Sequence, residues 1–167
     1  MLGLERSPEY LGDQVDAVYA RLLHRDADAG GRNAFLNFLE NGGTVEQMEA
    51  IIAGSAEYYQ TRGGSGTAGF LEALYQDSLD RGVDALGQAS WTQALASGLS
   101  RTQVAELIFS SPEYKIDLVN NYYTHFLGRS ADPTGLNGRV NGLLGGLRDE
   151  QVIAAIVASD EYFSRVG

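Results

Sequence analysis

Few residues in this chain are of the kinds that do chemistry. Cysteine is absent and only two histidines are present, His24 and His125. Without cysteine there can be no disulfide, no zinc–thiolate site and no thiol nucleophile. The histidines show no His-x3-His spacing, so a zinc site would need further ligands converging from elsewhere. A serine hydrolase of the elbow type carries Gly-x-Ser-x-Gly, and the nearest stretch, Gly64-Ser65-Gly66, sits in a Gly/Ser-rich segment. Calcium needs oxygen ligands at fixed loop positions. Counted from Asp26, an EF-hand loop puts Gly30 at its third ligand and Asn37 at its bidentate glutamate. Gly63-Gly-Ser-Gly-Thr-Ala68 opens like a calcium-binding nonapeptide, but Ala68 stands in place of the aspartate. Asp26 and Asp28 are the nearest approach to calcium ligands, and no resident metal or cofactor is expected. No nucleophile, base and electrophile can be grouped, so the chain reads as a non-enzyme.

The polar residues that recur are Arg25, Arg81 and Arg129, each three residues before Asp28, Asp84 and Asp132. Glu57, Glu113 and Glu161 recur within Ser-x-Glu-Tyr. One reading is a repeated anion site with paired carboxylates. The other is structural: arginines near a helix C-terminus pair with a local carboxylate or loop carbonyls, and glutamates sit favourably at helix N-termini. A motif present once per unit builds the unit more often than it serves a ligand, so the structural reading is preferred.

These residues belong to a repeat. Tyr19, Leu23, Arg25, Asp28 and Gly31 recur as Tyr75, Leu79, Arg81, Asp84 and Gly87, and again as Tyr123, Leu127, Arg129, Asp132 and Gly135. Each copy closes on a second tyrosine, Tyr58, Tyr114 or Tyr162, so the copies run 19–58, 75–114 and 123–162 without insertion. A further closing motif, Ser7-Pro-Glu-Tyr10, opens the chain with no beginning before it. Residues 1–10 are therefore expected to be the tail of a preceding unit. Repeats of about 48 residues then occupy 11–60, 69–114 and 115–167, with a flexible junction at 61–68.

Within each copy the period is helical. Val15, Val18, Tyr19, Leu22 and Leu23 mark one apolar face; Phe70, Leu71, Leu74 and Tyr75 another; Leu118, Val119, Tyr122, Tyr123, Phe126 and Leu127 a third. Ser111-Pro112 predicts a helix over about 112–127. Asp28, Asp84 and Asp132 are N-caps of a second helix, whose apolar positions are Phe35, Phe38 and Leu39, then Trp91, Ala94 and Leu95. In copy three they are Arg139, Gly142 and Leu143, which predicts a thinner third core. Gly42-Gly43, Gly98 and Gly145-Gly146 stop these helices. Thr44 with Gln47 and Ser100 with Gln103 fit the capping box of a third helix, whereas Arg148 with Gln151 is a weaker start or one shifted to Asp149. No segment reads as a strand. The expected fold is all-α: three tandem repeats, each of about three helices.

The spacing Tyr-x3-Leu-x-Arg-x2-Asp-x2-Gly, with Trp91, the turn Gly98-Leu-Ser-Arg-Thr-Gln-Val104 and Ser111-Pro-Glu-Tyr114, resembles the bacterial DUF4214 repeat. Phe126-Leu-Gly-Arg129 and Ser111-Pro-Glu-Tyr-Lys115 are also similar to the helical linker domains of phycobilisomes. The resemblance implies a helical fold in large bacterial proteins, often secreted, surface-associated or carrying calcium-binding repeats, and it brings no catalytic residues.

Bulk properties narrow the partners. A net charge of −10 disfavours nucleic acid and anionic lipid. No apolar run reaches the roughly 20 residues that span a bilayer. The expectation is a non-catalytic spacer or protein-assembly scaffold whose partners are neighbouring repeats, other domains of a parent protein or other proteins. The alternative is a calcium- or glycan-binding module of a secreted adhesin, with Tyr59, Trp91 and Tyr122 as exposed contact points.

Overall fold

The computed structural model of the protein describes residues 8–166. Of the expected N-terminal tail, residues 1–7 lie outside the described residues. Among those described there are eleven α-helices and no strand, so the chain is all-α. The helices are α1 (Pro8–Leu23), α2 (Ala29–Glu40), α3 (Val45–Ala53), α4 (Ala56–Thr61), α5 (Thr67–Leu79), α6 (Ala85–Ala96) and α7 (Arg101–Phe109). They are followed by α8 (Pro112–Leu127), α9 (Pro133–Leu144), α10 (Asp149–Val157) and α11 (Asp160–Val166). The chain divides into two compact units, one ending at Phe109 and the other beginning at Ser110.

The helix ends follow the local chemistry read from the sequence. Asp28, Asp84 and Asp132 accept the backbone N–H of Gly31, Gly87 and Gly135, at 2.9, 2.8 and 3.0 Å. Ser55, Ser111 and Ser159 cap in the same way, each accepting from the tyrosine three residues on. Thr44–Gln47 and Ser100–Gln103 close reciprocal capping boxes. At α10 the start stays at residue 148 and only half of the box survives. Gln151 accepts the Arg148 N–H at 2.9 Å, and the arginine side chain has no oxygen to return the bond. The second helices end on Gly42, Gly98 and Gly146 at φ 99°, 108° and 98°. The next residue's N–H reaches back to Phe38, Ala94 or Gly142, the closing bond of a Schellman turn.

The first unit is built around fully buried Val15, Leu22, Met48, Tyr58, Phe70, Leu71, Leu74, Val104 and Phe109. Its most extensive helix pair is α3 with α7. Gly54, at the end of α3, lies so close to Thr102 that a Cβ there would fall 2.6 Å from the threonine Cα and N. The second unit packs Val119, Tyr123 and Leu127 of α8 against Val140 and Leu143 of α9 and Val152 and Ile156 of α10. Val140 supplies the apolar contact expected from position 139, whereas α6 has no buried residue.

One junction follows expectation and one differs. The closing motif at Ser111 and the next opening tyrosine, Tyr123, share one unbroken 16-residue helix, α8. Between α4 and α5 the Gly/Ser segment is a packed turn rather than a loose tether. Gly63 is buried, its N–H bonds to the Tyr58 carbonyl at 3.1 Å, and Ser65 N–H bonds to the Tyr59 carbonyl at 2.9 Å. A Cβ on Gly63 would meet the Phe70 Cα at 2.9 Å, which explains a glycine where the two helices cross.

Gly54→Ala should destabilise the first unit by about 1–3 kcal/mol, because the obstacle is backbone and cannot swing aside. A lowered urea midpoint with unchanged slope is the expected result.

Candidate functional site

The recurring residues of the sequence converge into one arrangement, formed by contacts that motif spacing alone does not reveal. In the first unit α1 ends beside the start of α2. The Arg25 guanidinium lies over the Tyr19 ring, 5.1 Å from its centre, and its Nη1 donates to the Asp26 carbonyl at 2.9 Å. Its main partner is Glu57, thirty-two residues on, gripped through Nε at 2.6 Å and Nη2 at 2.8 Å. Asp28 stands farther off, at 3.7 Å. The same set recurs in the second unit. Arg129 lies 5.4 Å from the Tyr123 ring centre, and its Nε and Nη2 reach Glu161 at 2.5 and 2.6 Å. Arg81 lies 5.0 Å from the centre of the Tyr75 ring and 3.7 Å from Asp84.

Glycine completes the arrangement. A Cβ on Gly31 would sit 2.3 Å from the Tyr19 hydroxyl, and one on Gly135 would sit 2.6 Å from that of Tyr123. The tyrosine thus needs a bare backbone to lie against. In this way Tyr, Arg, Asp, Gly and Glu brace the end of one helix against the starts of two others.

The electrostatics agree with this bracing role. Bidentate contact with arginine holds the Glu57 and Glu161 carboxyls below the usual range. Asp28, Asp84 and Asp132 are also lowered, chiefly by the backbone N–H groups that they cap. Asp28 is therefore committed as a cap, while Asp26 is exposed. No group of three or more His, Asp or Glu side chains suited to a metal occurs among the described residues. His24 ends α1 at φ 54°, where its sequence equivalents Asp80 and Gly128 stand at 50° and 66°. All three serve as a left-handed helix stop. His125 is exposed, its ring 4.7 Å from that of Phe126.

The proposed exposed contact points prove to be half-buried and engaged within their own units. Tyr59 lies against Phe70, and the Arg101 guanidinium sits 4.3 Å from its ring centre. The Trp91 indole N–H donates to the Tyr75 hydroxyl at 2.8 Å. Tyr122 donates to Asp149 at 2.9 Å. Amphipathic aromatic rings gain by burying their faces and pairing their polar tips, so composition overstated their exposure. Tyr59, Phe70, Leu95, Leu99 and Arg101 also line a cleft of about 380 Å³ in the first unit, together with Gly54, Thr67, Ser100 and Thr102. Its lining offers hydroxyls and one guanidinium, with no carboxylate or imidazole for proton transfer.

A second polar cluster was not anticipated from the sequence. Glu49 is buried on α3 and pairs with Arg21, whose Nη1 also reaches the Asp77 carbonyl at 2.7 Å. Asp77 accepts from the Tyr58 hydroxyl at 2.7 Å and from Arg62 Nη2 at 2.8 Å. Burial, with the Asp77 carboxylate second, pushes the Tyr58 hydroxyl well above its ordinary pKa. Apart from Tyr58 the cluster does not repeat, since Glu49 corresponds to Ala105 and Ile153. The available signal was an acid on an otherwise apolar helix face.

Residues 50–118 match the family described as Domain of unknown function (DUF4214). No curated protein and no solved structure matches the chain. The DUF4214 match takes in the second copy of the motif whole, including Arg81, Asp84, Gly87 and Trp91.

Glu57 and Glu161 carry folded-state pKa values depressed below that of the unfolded chain. Their stabilisation is complete above the unfolded carboxylate value and is lost as pH falls through the folded one. Melting temperature should therefore fall on acidification from pH 6 to pH 3, with a shallower decline in a Glu57→Gln, Glu161→Gln double variant. A slope identical to wild type would refute the assignment. Tyr58→Phe should cost about 1–3 kcal/mol in urea denaturation, since it removes a buried hydrogen bond to a charged acceptor.

Proposed function

We propose that the chain is a non-catalytic helical repeat module of a larger bacterial protein, in which it spaces or assembles other domains. One observation carries this reading. The polar residues that recur in the sequence are engaged with one another and with backbone groups at helix ends, as braces and caps, so they are committed to holding the fold. A binding or catalytic motif would instead present its recurring groups to a common space.

On this reading the chain holds three units of about 48 residues. Its partners are neighbouring repeats, other domains of the parent protein or other proteins. An extracellular or cell-surface setting follows from the resemblance to secreted bacterial repeat proteins. That no described helix is long and apolar enough to cross a membrane is compatible with it.

A thermal melt with chelator and with millimolar calcium tests the reading against a calcium-dependent binding module. A ligand specific to the folded state must raise its melting temperature. The scaffold reading expects curves that superimpose within about 1 °C, whereas a rise of several degrees with calcium would replace it.

A further inference from the structure

Helices α3 and α7 occupy equivalent places in the first two sequence copies, with Gln47, Ile52 and Ser55 matching Gln103, Ile108 and Ser111. They pack along each other in the first unit, and the C-terminal end of α3 lies at the N-terminal end of α7. Gly54 abuts Thr102, and Arg101 Nε donates to the Gly54 carbonyl at 3.3 Å. The pair is antiparallel and joins like to like, as two copies of one surface do about a two-fold axis.

The third equivalent helix is α10. All three helices bury the same inner positions, Met48 and Ile52, Val104 and Ile108, and Val152 and Ile156. The paired helices bury more: Glu49, Ala50 and Ala53 on α3, and Ala105 and Phe109 on α7. Their counterparts on α10 are Ile153, Ala154 and Val157, which are only half-buried. The second unit contains no further helix of this kind.

An independent observation falls on the same surface. Tyr59 and Leu99, half-buried, line one cleft beside the α3–α7 pair, one from each sequence copy. Their counterparts in the second unit are Phe163 and Leu147, 55% and 47% exposed. Phe163 and Leu147 are thus left open in the second unit where their counterparts are half-buried in the first. On α3 the paired face also carries Glu49, which needs Arg21 beside it. Ile153 replaces that acid, so the α10 face can close on its own likeness with no charge to neutralise.

We propose that the second unit associates with the second unit of another copy of this chain, α10 against α10 in antiparallel register, with Phe163 of each copy covering Leu147 of the other. The interface reproduces between chains the pairing that α3 and α7 make within one. It goes beyond the scaffold reading, which a monomeric chain would leave untouched.

Sedimentation velocity of the full chain tests the proposal at concentrations up to on the order of 100 μM, since self-association follows mass action. The expected result is a species of twice 18.0 kDa. Ile153→Glu and Phe163→Ser should each weaken the dimer at least about tenfold, as loss of a central apolar anchor does. Phe163 is already largely exposed, so its replacement should leave the helical circular dichroism unchanged. Leu86→Ser, at a residue 78% exposed on α6, should leave the dimer intact. A wild-type monomer across the whole range would overturn the proposal. So would a dimer that survives Phe163→Ser, or one that Leu86→Ser dissolves.

Discussion

The fold depends most on a guanidinium laid over a tyrosine ring and held by a carboxylate thirty-two residues away. Arg25 with Tyr19 and Glu57, and Arg129 with Tyr123 and Glu161, are set at helix ends, where backbone groups would otherwise go unsatisfied. Half-exposed ion pairs contribute little to net stability. Their value here is geometric. A bidentate arginine admits few orientations, and the stacked ring removes more of them. One side chain thereby fixes where the first helix stops, where the second begins and where the closing Ser-x-Glu-Tyr turn returns. The aspartate cap and the bare glycine beneath the tyrosine hydroxyl follow from the same close approach.

The buried polar cluster of the first unit plays a different part. Glu49 and Asp77 are carboxylates largely withdrawn from water, and each has an arginine against it. Removing one member of such a pair is far more damaging than the pair's net worth, because the survivor stays buried and charged. Arg21 meets both Glu49 on α3 and the Asp77 carbonyl on α5. It therefore ties elements from two sequence copies together. Such a cluster specifies which helices meet, a task that the repeated motif cannot perform because it is alike in every copy.

The local architecture was legible in the sequence to a high degree. The helix at 112–127, the aspartate and serine caps, two capping boxes and the three glycine stops were all readable, because each rests on chemistry within about four residues. Long-range partners were not. Arg25 and Glu57 recur in register, yet nothing in their spacing states that they touch. Tyr59, Trp91 and Tyr122 read as exposed because the partner of an aromatic's ring or polar tip is not visible in one dimension, whereas each finds one in the fold. Copy three was expected to place Arg139 on the apolar face, but a helical rotation of one residue brings Val140 inward instead. Glu49 was passed over because a buried acid is recognisable only once its arginine is in view.

One insertion accounts for the difference between the two units. Where the closing and opening motifs run together without extra residues, as in α8, they form a single helix of sixteen residues. A continuous helix cannot fold back on itself. Between the first and second copies the extra residues break the same helix into α4 and α5, and buried Gly63 lets the two halves cross closely. That turn lets the second copy double back so that α7 lies along α3. A few glycines and serines thereby decide which helix faces are sheltered within the chain. The face of α10, which follows the unbroken helix, receives no such partner within its own unit.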